Sequence, residues 1–214
     1  PAINHYYFST VITGIQETAY INGFNIILFV TNDLPSRELE IVKNLSLTGL
    51  DGVLASISSD SNDCGHFQEM IDDGIPVVFF DRVASTIQAS KVVQDDYNGA
   101  FEAVEHLIQN GYRRIAHVAG PMGLSFTEQR LKGYQAALEK YGLPLNDQWI
   151  VHSGFSQTCG MEDIERLWAL DDRPDAIFAV NDRKAIGCIL ALKERGVAIG
   201  KEVGVIGFTG DPMS

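Results

Sequence analysis

Apolar residues recur along this chain in two alternating patterns, and the alternation predicts its architecture. Stripes spaced three to four residues apart mark helical faces: Phe8, Val11, Ile12, Ile15 and Ala19; Leu39, Val42 and Leu45; Val104, Leu107 and Ile108; Met161, Ile164, Leu167 and Trp168. Helix-like segments stop at Gly23, Gly49, Gly74, Gly111, Gly142 and Gly196, the residue type that closes a helix in the left-handed conformation. Each stop is followed, within about eleven residues, by an unbroken apolar run of strand length. These runs are Ile26–Val30, Val53–Ile57, Val77–Phe80, Ile115–Ala119, Trp149–Val151 and Val203–Phe208. Ala176–Val180 adds another after the Met161 stripe, and Lys91–Gln94 reads as a short strand closing the first half. Helices alternating with apolar strands predict the α/β class, with parallel sheets covered on both faces.

The stretch from Ala103 to Arg130 states the grammar most clearly: helix, strand, loop, helix, with Ser125 and Glu128 spaced as a capping box for the second helix. Ahead of it, Asp95-Asp96 offers a carboxylate to cap the first helix, a reading favoured over ligand contact for both residues. Pro1 to Ser9 reads as a loop feeding a helix, so a strand is expected ahead of Pro1. Tyr6, Tyr7 and Phe8 at that junction suit either a staple for the helix entry or a stacking wall for a flat ligand. A polar loop from Ser58 to Asp63 follows the Val53 strand. A boundary near residues 95–98 gives two lobes, 1–97 and 98–214.

Charge narrows the function. The net charge is −12, and residues 1–97 carry 4 basic against 13 acidic side chains, leaving 12 against 15 for residues 98–214. Binding to a phosphate backbone needs a basic patch, and no stretch here supplies one, so this segment by itself is not expected to bind DNA. No apolar run reaches membrane-spanning length. Cys64, Cys159 and Cys188 are odd in number and widely spaced, which argues against a disulfide framework, favours small buried hydrophobes, and fits a reducing cytoplasm.

Catalytic machinery is missing from the pattern. There is no glycine-rich dinucleotide fingerprint, no phosphate loop and no nucleophile elbow. His5, His66, His106, His117 and His152 are scattered, and Cys64-Gly65-His66 is too short for half a metal site. We therefore expect no enzyme, no cofactor and no metal. In open parallel sheets, ligands bind beyond the carboxyl ends of the strands. That rule nominates Ser56, Asp81, Arg82, Pro121, Phe126, Phe155, Asn181, Asp182 and Thr209, with Arg130 one and a half turns into its helix.

Several segments, in order, carry a resemblance: PAINHYYFS, EHLIQNGYRRIAHVAGP, RLKGYQAALEKYGL, RPDAIFAVND and VGVIGF. Together they resemble the effector-binding domain of the lactose-repressor and galactose-repressor (LacI/GalR) family of bacterial transcription regulators, from Pro1 to Ser214. The resemblance implies a type I periplasmic-binding-protein-like fold of two Rossmann-like lobes, with parallel sheets flanked by helices and a ligand cleft between the lobes. It implies a small effector, a sugar or sugar derivative, whose binding changes the lobe angle in a cytoplasmic homodimer. Operator DNA would be met only through an N-terminal headpiece absent from this chain, and a return crossover beyond Ser214 is expected as well. Carried over position by position, the family's pocket falls on Tyr7, Phe8, Asp81, Arg82, Phe126, Arg130, Phe155 and Asn181. Arg130 is the strongest candidate, because a guanidinium fork can hold two sugar hydroxyls or a carboxylate in one orientation. Asp182 is expected to cap its helix rather than touch ligand.

One departure bears on the ligand. The family commonly has an acidic residue directly after the Gly-Phe of its last strand, where this chain has Thr209, so either the usual sugar grip is altered or Asp211 takes the role. Leu124 and Phe126 suggest a more apolar pocket. The runner-up reading is a secreted sugar-binding protein of a transport system, and the third a sugar-modifying enzyme or dehydrogenase built on parallel sheets.

Overall fold

The computed structural model describes residues 6–45, 49–58 and 64–213. The Pro1–His5 part of the expected leading loop and the Ser59–Asp63 part of the expected polar loop lie outside the described residues. The chain divides into two compact units, residues 1–94 and 95–214.

In the first unit, helix α1 (Tyr6–Ile21) and helix α2 (Pro35–Leu45) precede strand β1 (Val53–Ala55). Helix α3 (Gly65–Asp72), strand β2 (Val77–Phe80) and strand β3 (Ser90–Val92) complete it. The three strands form a parallel sheet in sequence order, with Val53 opposite Val77 and Val78 opposite Ser90. Its core gathers Val42 and Leu45 of α2, Phe67 and Met70 of α3, and Val77 and Phe79 of β2. The strands are shorter than their apolar runs: Val53–Ile57 is strand only to Ala55, and in place of Lys91–Gln94 the strand starts one residue earlier, at Ser90, and stops at Val92.

Ile26–Val30, expected as a strand, is not one. A strand needs a lateral partner for its amides and carbonyls, and these residues pair with no strand among the described residues. Ile26, Ile27, Leu28 and Phe29 are exposed, and α1 buries none of its residues. An apolar groove of about 1040 Å³ lies between them and β1, lined by Phe8, Ile12, Ile15, Phe29, Val42 and Leu54 among others.

The second unit runs through helix α4 (Asp96–Gln109), strand β4 (Ile115–Ala119), helix α5 (Ser125–Lys140), strand β5 (Ile150–His152), helix α6 (Gln157–Trp168), strand β6 (Ala176–Ala179), helix α7 (Asp182–Glu194) and strand β7 (Gly204–Ile206). Its parallel sheet has the order β5-β4-β6-β7, with His117 opposite Phe178 and Ile177 opposite Val205. Every residue of β4 and β6 is buried. Alternate side chains divide between the faces. Ala116, Val118, Ile177 and Ala179 pack with Ile164, Leu167 and Leu192 of α6 and α7, while Ile115 and Phe178 pack with Val104, Tyr134 and Leu138 of α4 and α5.

Local chemistry fixes the joints. Asp95 caps α4, its carboxylate accepting from the Asn98 amide at 3.1 Å. The expected capping box at Ser125 and Glu128 does not form: Leu124 occupies the cap position without a side-chain bond, and Thr127 Oγ1 instead donates to Leu124 O and Pro121 O. Trp149 sits in a short 3-10 turn, Asp147–Trp149, ahead of β5, where its indole donates to Asp172 O at 3.0 Å. Helices α6 and α7 approach backbone to backbone: a methyl on Gly160 would meet Lys184 O, and one on Gly187 would meet Gln157 O. Cys64 and Cys188 are buried and Cys159 is half-buried, all as free thiols. Among the described residues, no helix is long and apolar enough to cross a membrane.

Candidate functional site

In the second unit, the carboxyl ends of β4, β5, β6 and β7 place their following loops along one edge of the sheet. Phe126 and Arg130 lie four residues apart on α5 and therefore share a face. The Phe155 ring, in the loop after β5, stacks on Phe126 with centroids 5.7 Å apart and an interplanar angle of 26°. The Arg130 guanidinium lies 3.7 Å from the centroid of Phe208, beyond the end of β7, and 5.0 Å from that of Phe126. Asn181, after β6, caps α7 by accepting from the Lys184 amide at 2.8 Å, and its Nδ2 donates to Phe155 O at 3.2 Å. One asparagine thus ties a helix start to the stacking loop.

Arg130 is only 4% exposed, so its charge needs a partner. Asp96, equally buried at the first turn of α4, supplies it: Nε and Nη2 donate to Asp96 Oδ1 at 2.9 and 2.7 Å. Nη1 donates to the Val180 carbonyl at the end of β6. Burial pushes the Asp96 carboxyl above its ordinary range, while the charge of Arg130 and its hydrogen bonds pull the other way. Of the two carboxylates read as possible caps, Asp95 caps and Asp96 pairs.

Asp182 does not cap α7. Asn181 holds that position, and the Asp182 carboxylate accepts from the backbone amides of Phe208 at 2.9 Å and Asp211 at 2.6 Å. Gly207 makes room, because a methyl there would meet the Asp182 carboxylate. Thr209 Oγ1 accepts from the Asp182 amide at 3.3 Å, and Asp211 Oδ1 accepts from the Met213 amide at 3.0 Å. The loop after β7 is folded around one acid.

A second buried cation was invisible to the strand-end rule. Lys184, fully buried on α7, pairs with Asp163 of α6 at 2.8 Å and donates to Ser153 Oγ at 2.8 Å and to Ala119 O. Ser153 donates in turn to Asp163 Oδ2 at 2.8 Å. The available signal was positional: Lys184 sits on the face that carries Cys188 and Ala191, and Asp163 on that of Gly160 and Leu167. His117, expected to be structural, is stacked on Phe178 at 4.6 Å and buried. Its Nδ1 faces the Phe178 carbonyl at 3.0 Å; a carbonyl only accepts, so Nδ1 carries the proton. Desolvation pushes the ring's pKa down to about 3, which keeps it neutral.

The first unit has its own strand-end edge. Asp81 follows β2 with φ 58°, and its amide donates to Val92 O at 3.1 Å. Arg82, 8% exposed, donates through Nη1 to Asp33 Oδ1 at 2.6 Å, which links the end of β2 to the loop before α2. Tyr7 accepts from Gln94 Nε2 at 2.6 Å, two residues beyond β3, and meets Phe8 edge to face at 5.2 Å. Phe8 lines the apolar groove described above. Buried Glu38 accepts from the Ser58 amide at 2.6 Å and lies 3.3 Å from His66 Nε2. An acid in a helix first turn gave no sign of that role.

Within the second unit, then, Phe126, Arg130, Phe155 and Asn181 form one connected cluster, joined through Phe208 and Asp182 to Thr209 and Asp211. Within the first, Arg82 is tied to Asp33, Asp81 to β3, and Tyr7 to Gln94. Among the described residues, no three His, Cys, Asp or Glu side chains are grouped to hold a metal ion. The second cluster offers a planar cation, stacked rings and amide groups, all of which can hold a ligand.

Residues 1–210 match the family model described as periplasmic binding proteins and sugar binding domain of the LacI family. The chain is 30% identical over 215 residues to catabolite control protein A of Priestia megaterium, covering all of this chain and 64% of that protein. It is 28% identical over 204 residues to the HTH-type transcriptional repressor PurR of Vibrio vulnificus, covering 94% of this chain and 60% of the repressor. The chain thus spans less than two thirds of the length of these curated relatives. Among solved structures, a LacI-family regulatory protein from Chloroflexus aggregans is similar with a TM-score of 0.85 and 29% identity, covering all of this chain and 76% of its own. A complex of the transcriptional regulator CelR with cellobiose is similar with a TM-score of 0.89 and 25% identity, covering 97% of this chain and 63% of its own.

Proposed function

Because this chain belongs to the family of periplasmic binding proteins and LacI-type sugar-binding domains, we propose that it is the effector-sensing part of a DNA-binding transcriptional regulator. The effector is a sugar or sugar derivative. The observation that carries this reading is the cluster of Phe126, Arg130, Phe155 and Asn181 at the strand-end edge of the second unit, where ligands of open parallel sheets bind. Stacked rings suit the apolar face of a sugar ring, and a guanidinium suits its hydroxyls. The cellobiose held by CelR supports the sugar class by likeness. Thr209 takes the acidic position as an uncharged contact, since Asp211 is engaged with its own loop through Met213.

An effector favours one conformational state of the protein only to the extent of its differential affinity for that state. A tenfold change in operator affinity needs about 1.4 kcal/mol of such coupling, which a few polar contacts supply. The change is read in a homodimer by a DNA-binding headpiece; for the headpiece alone there is support in the PurR relative, which is named an HTH-type transcriptional repressor. The relatives named above are a control protein and a repressor, in keeping with binding without turnover.

A thermal-shift screen with cellobiose, ribose and other sugars tests the reading, because a bound effector raises the melting temperature by mass action. Arg130→Ala is expected to weaken binding of the sugar so found by about 2–5 kcal/mol, by stranding its buried partners. Unchanged affinity in calorimetry would remove Arg130 from the site.

A further inference from the structure

The charge of the strand-end edge in the second unit is set by residues that the family likeness does not assign. Arg130 and Lys184 are the two buried cations there, and each is matched by a buried acid, Asp96 and Asp163 respectively. Two more carboxylates meet beside the loop after β7: Asp182, from the first turn of α7, and Asp211, in the loop itself. Helix N-termini at a strand-end edge ordinarily invite an anion. Here Ser156 caps α6, Asn181 caps α7, and the Asp182 carboxylate already occupies the first turn of α7, while α5 starts at Leu124 without a side-chain cap. Among the described residues, each buried side-chain cation at this edge is thus matched by a buried acid.

Arg130 is the pivot of that balance. Its forked donors, Nε and Nη2, converge on one oxygen of Asp96, its Nη1 is taken by Val180 O, and its flat face lies on Phe208. A phosphate or carboxylate on a ligand would have to share the guanidinium with an acid 2.7 Å away, and two anions in one desolvated place repel strongly. A hydroxyl brings no such penalty, since it donates to one neighbour and accepts from another.

We propose that Asp96 is the charge-selectivity residue of this edge: by neutralising Arg130 it admits uncharged polyhydroxyl ligands and excludes their phosphorylated or carboxylated counterparts. The proposal rests on the reading of this edge as the effector site and narrows its ligand class. It assigns Asp96 a role in selectivity in addition to holding α4 against α5.

Calorimetry with inorganic phosphate, ribose and ribose 5-phosphate, on the wild type and on Asp96→Asn, tests it. The wild type is expected to give no phosphate binding at millimolar concentration. Asp96→Asn keeps the shape and releases the guanidinium, and should bind phosphate at least about tenfold more tightly, a gain lost again when Arg130→Met is added. Absence of that gain in a folded Asp96→Asn protein overturns the proposal. So does a wild type that binds ribose 5-phosphate more tightly than ribose. If Asp96→Asn fails to fold by circular dichroism, the wild-type comparison alone decides, with no binding of either phosphate compound as the supporting result. Sugar binding by the wild type without the phosphate gain sinks Asp96 and leaves the sensor reading intact. The phosphate gain with no sugar bound by the wild type does the reverse.

Discussion

The two units are built from the same repeating pattern and differ in how completely they bury it. In the second unit, β4 and β6 have strands on both sides and helices on both faces, and Ile115, Val118, Ile177 and Phe178 are fully buried. In the first, another apolar run, Ile26–Val30, has no strand partner among the described residues, and Ile27 is 65% exposed. Apolar character nominates a strand, but only neighbours make one. Stability in the second unit is thus held by its sheet core, whereas part of the first unit's apolar surface still faces the groove beside β1.

The largest effect should come from cutting the second core. Phe178→Ala removes a ring packed between His117 and Phe208 and is expected to cost about 3–5 kcal/mol in urea unfolding. Next comes pH. His117 is neutral in the fold with a pKa near 3, against 6.5 for the free group, so the unfolded chain binds a proton that the folded one refuses. Its stabilising effect is fully present above pH 6.5 and is lost as pH falls toward 3, at about 1.4 kcal/mol per unit, or about 2 kcal/mol by pH 5. His117→Phe should flatten that part of the profile, and an unchanged slope would locate the acid sensitivity elsewhere. The smallest effect is expected at Ile27→Ala, within about 0.5 kcal/mol, as for other exposed positions.

Much of the fold was legible because glycine stops and apolar runs are local signals. The runs at Ile115–Ala119 and Val77–Phe80 became strands with those bounds, and the first strand of the second half drew its partners from both sides. What escaped was non-local. No pattern in sequence says whether Ile26–Val30 has a neighbour, or that Asp96 will meet Arg130 across 34 positions. The capping spacing at Ser125 and Glu128 was present, but Thr127 took the local bonds. Asp182 was given a helix to cap, and the chain used its neighbour Asn181 for that, freeing the acid to organise the loop after β7. At the candidate site, strand ends identified the stacking rings, Arg130 and Asn181. Lys184, Asp163 and Ser153 stayed hidden because a charge within an apolar helix face announces burial without naming its partner.

The glycine contact between α6 and α7 works as a caliper. Ser153 and Phe155 precede one helix and Asn181 starts the other, so the separation of those loops is copied from how closely two bare backbones can touch. Gly160→Ala would act as a wedge against Lys184 O, prising the caliper's jaws apart and retuning the grip from behind, without altering any atom that a ligand could touch.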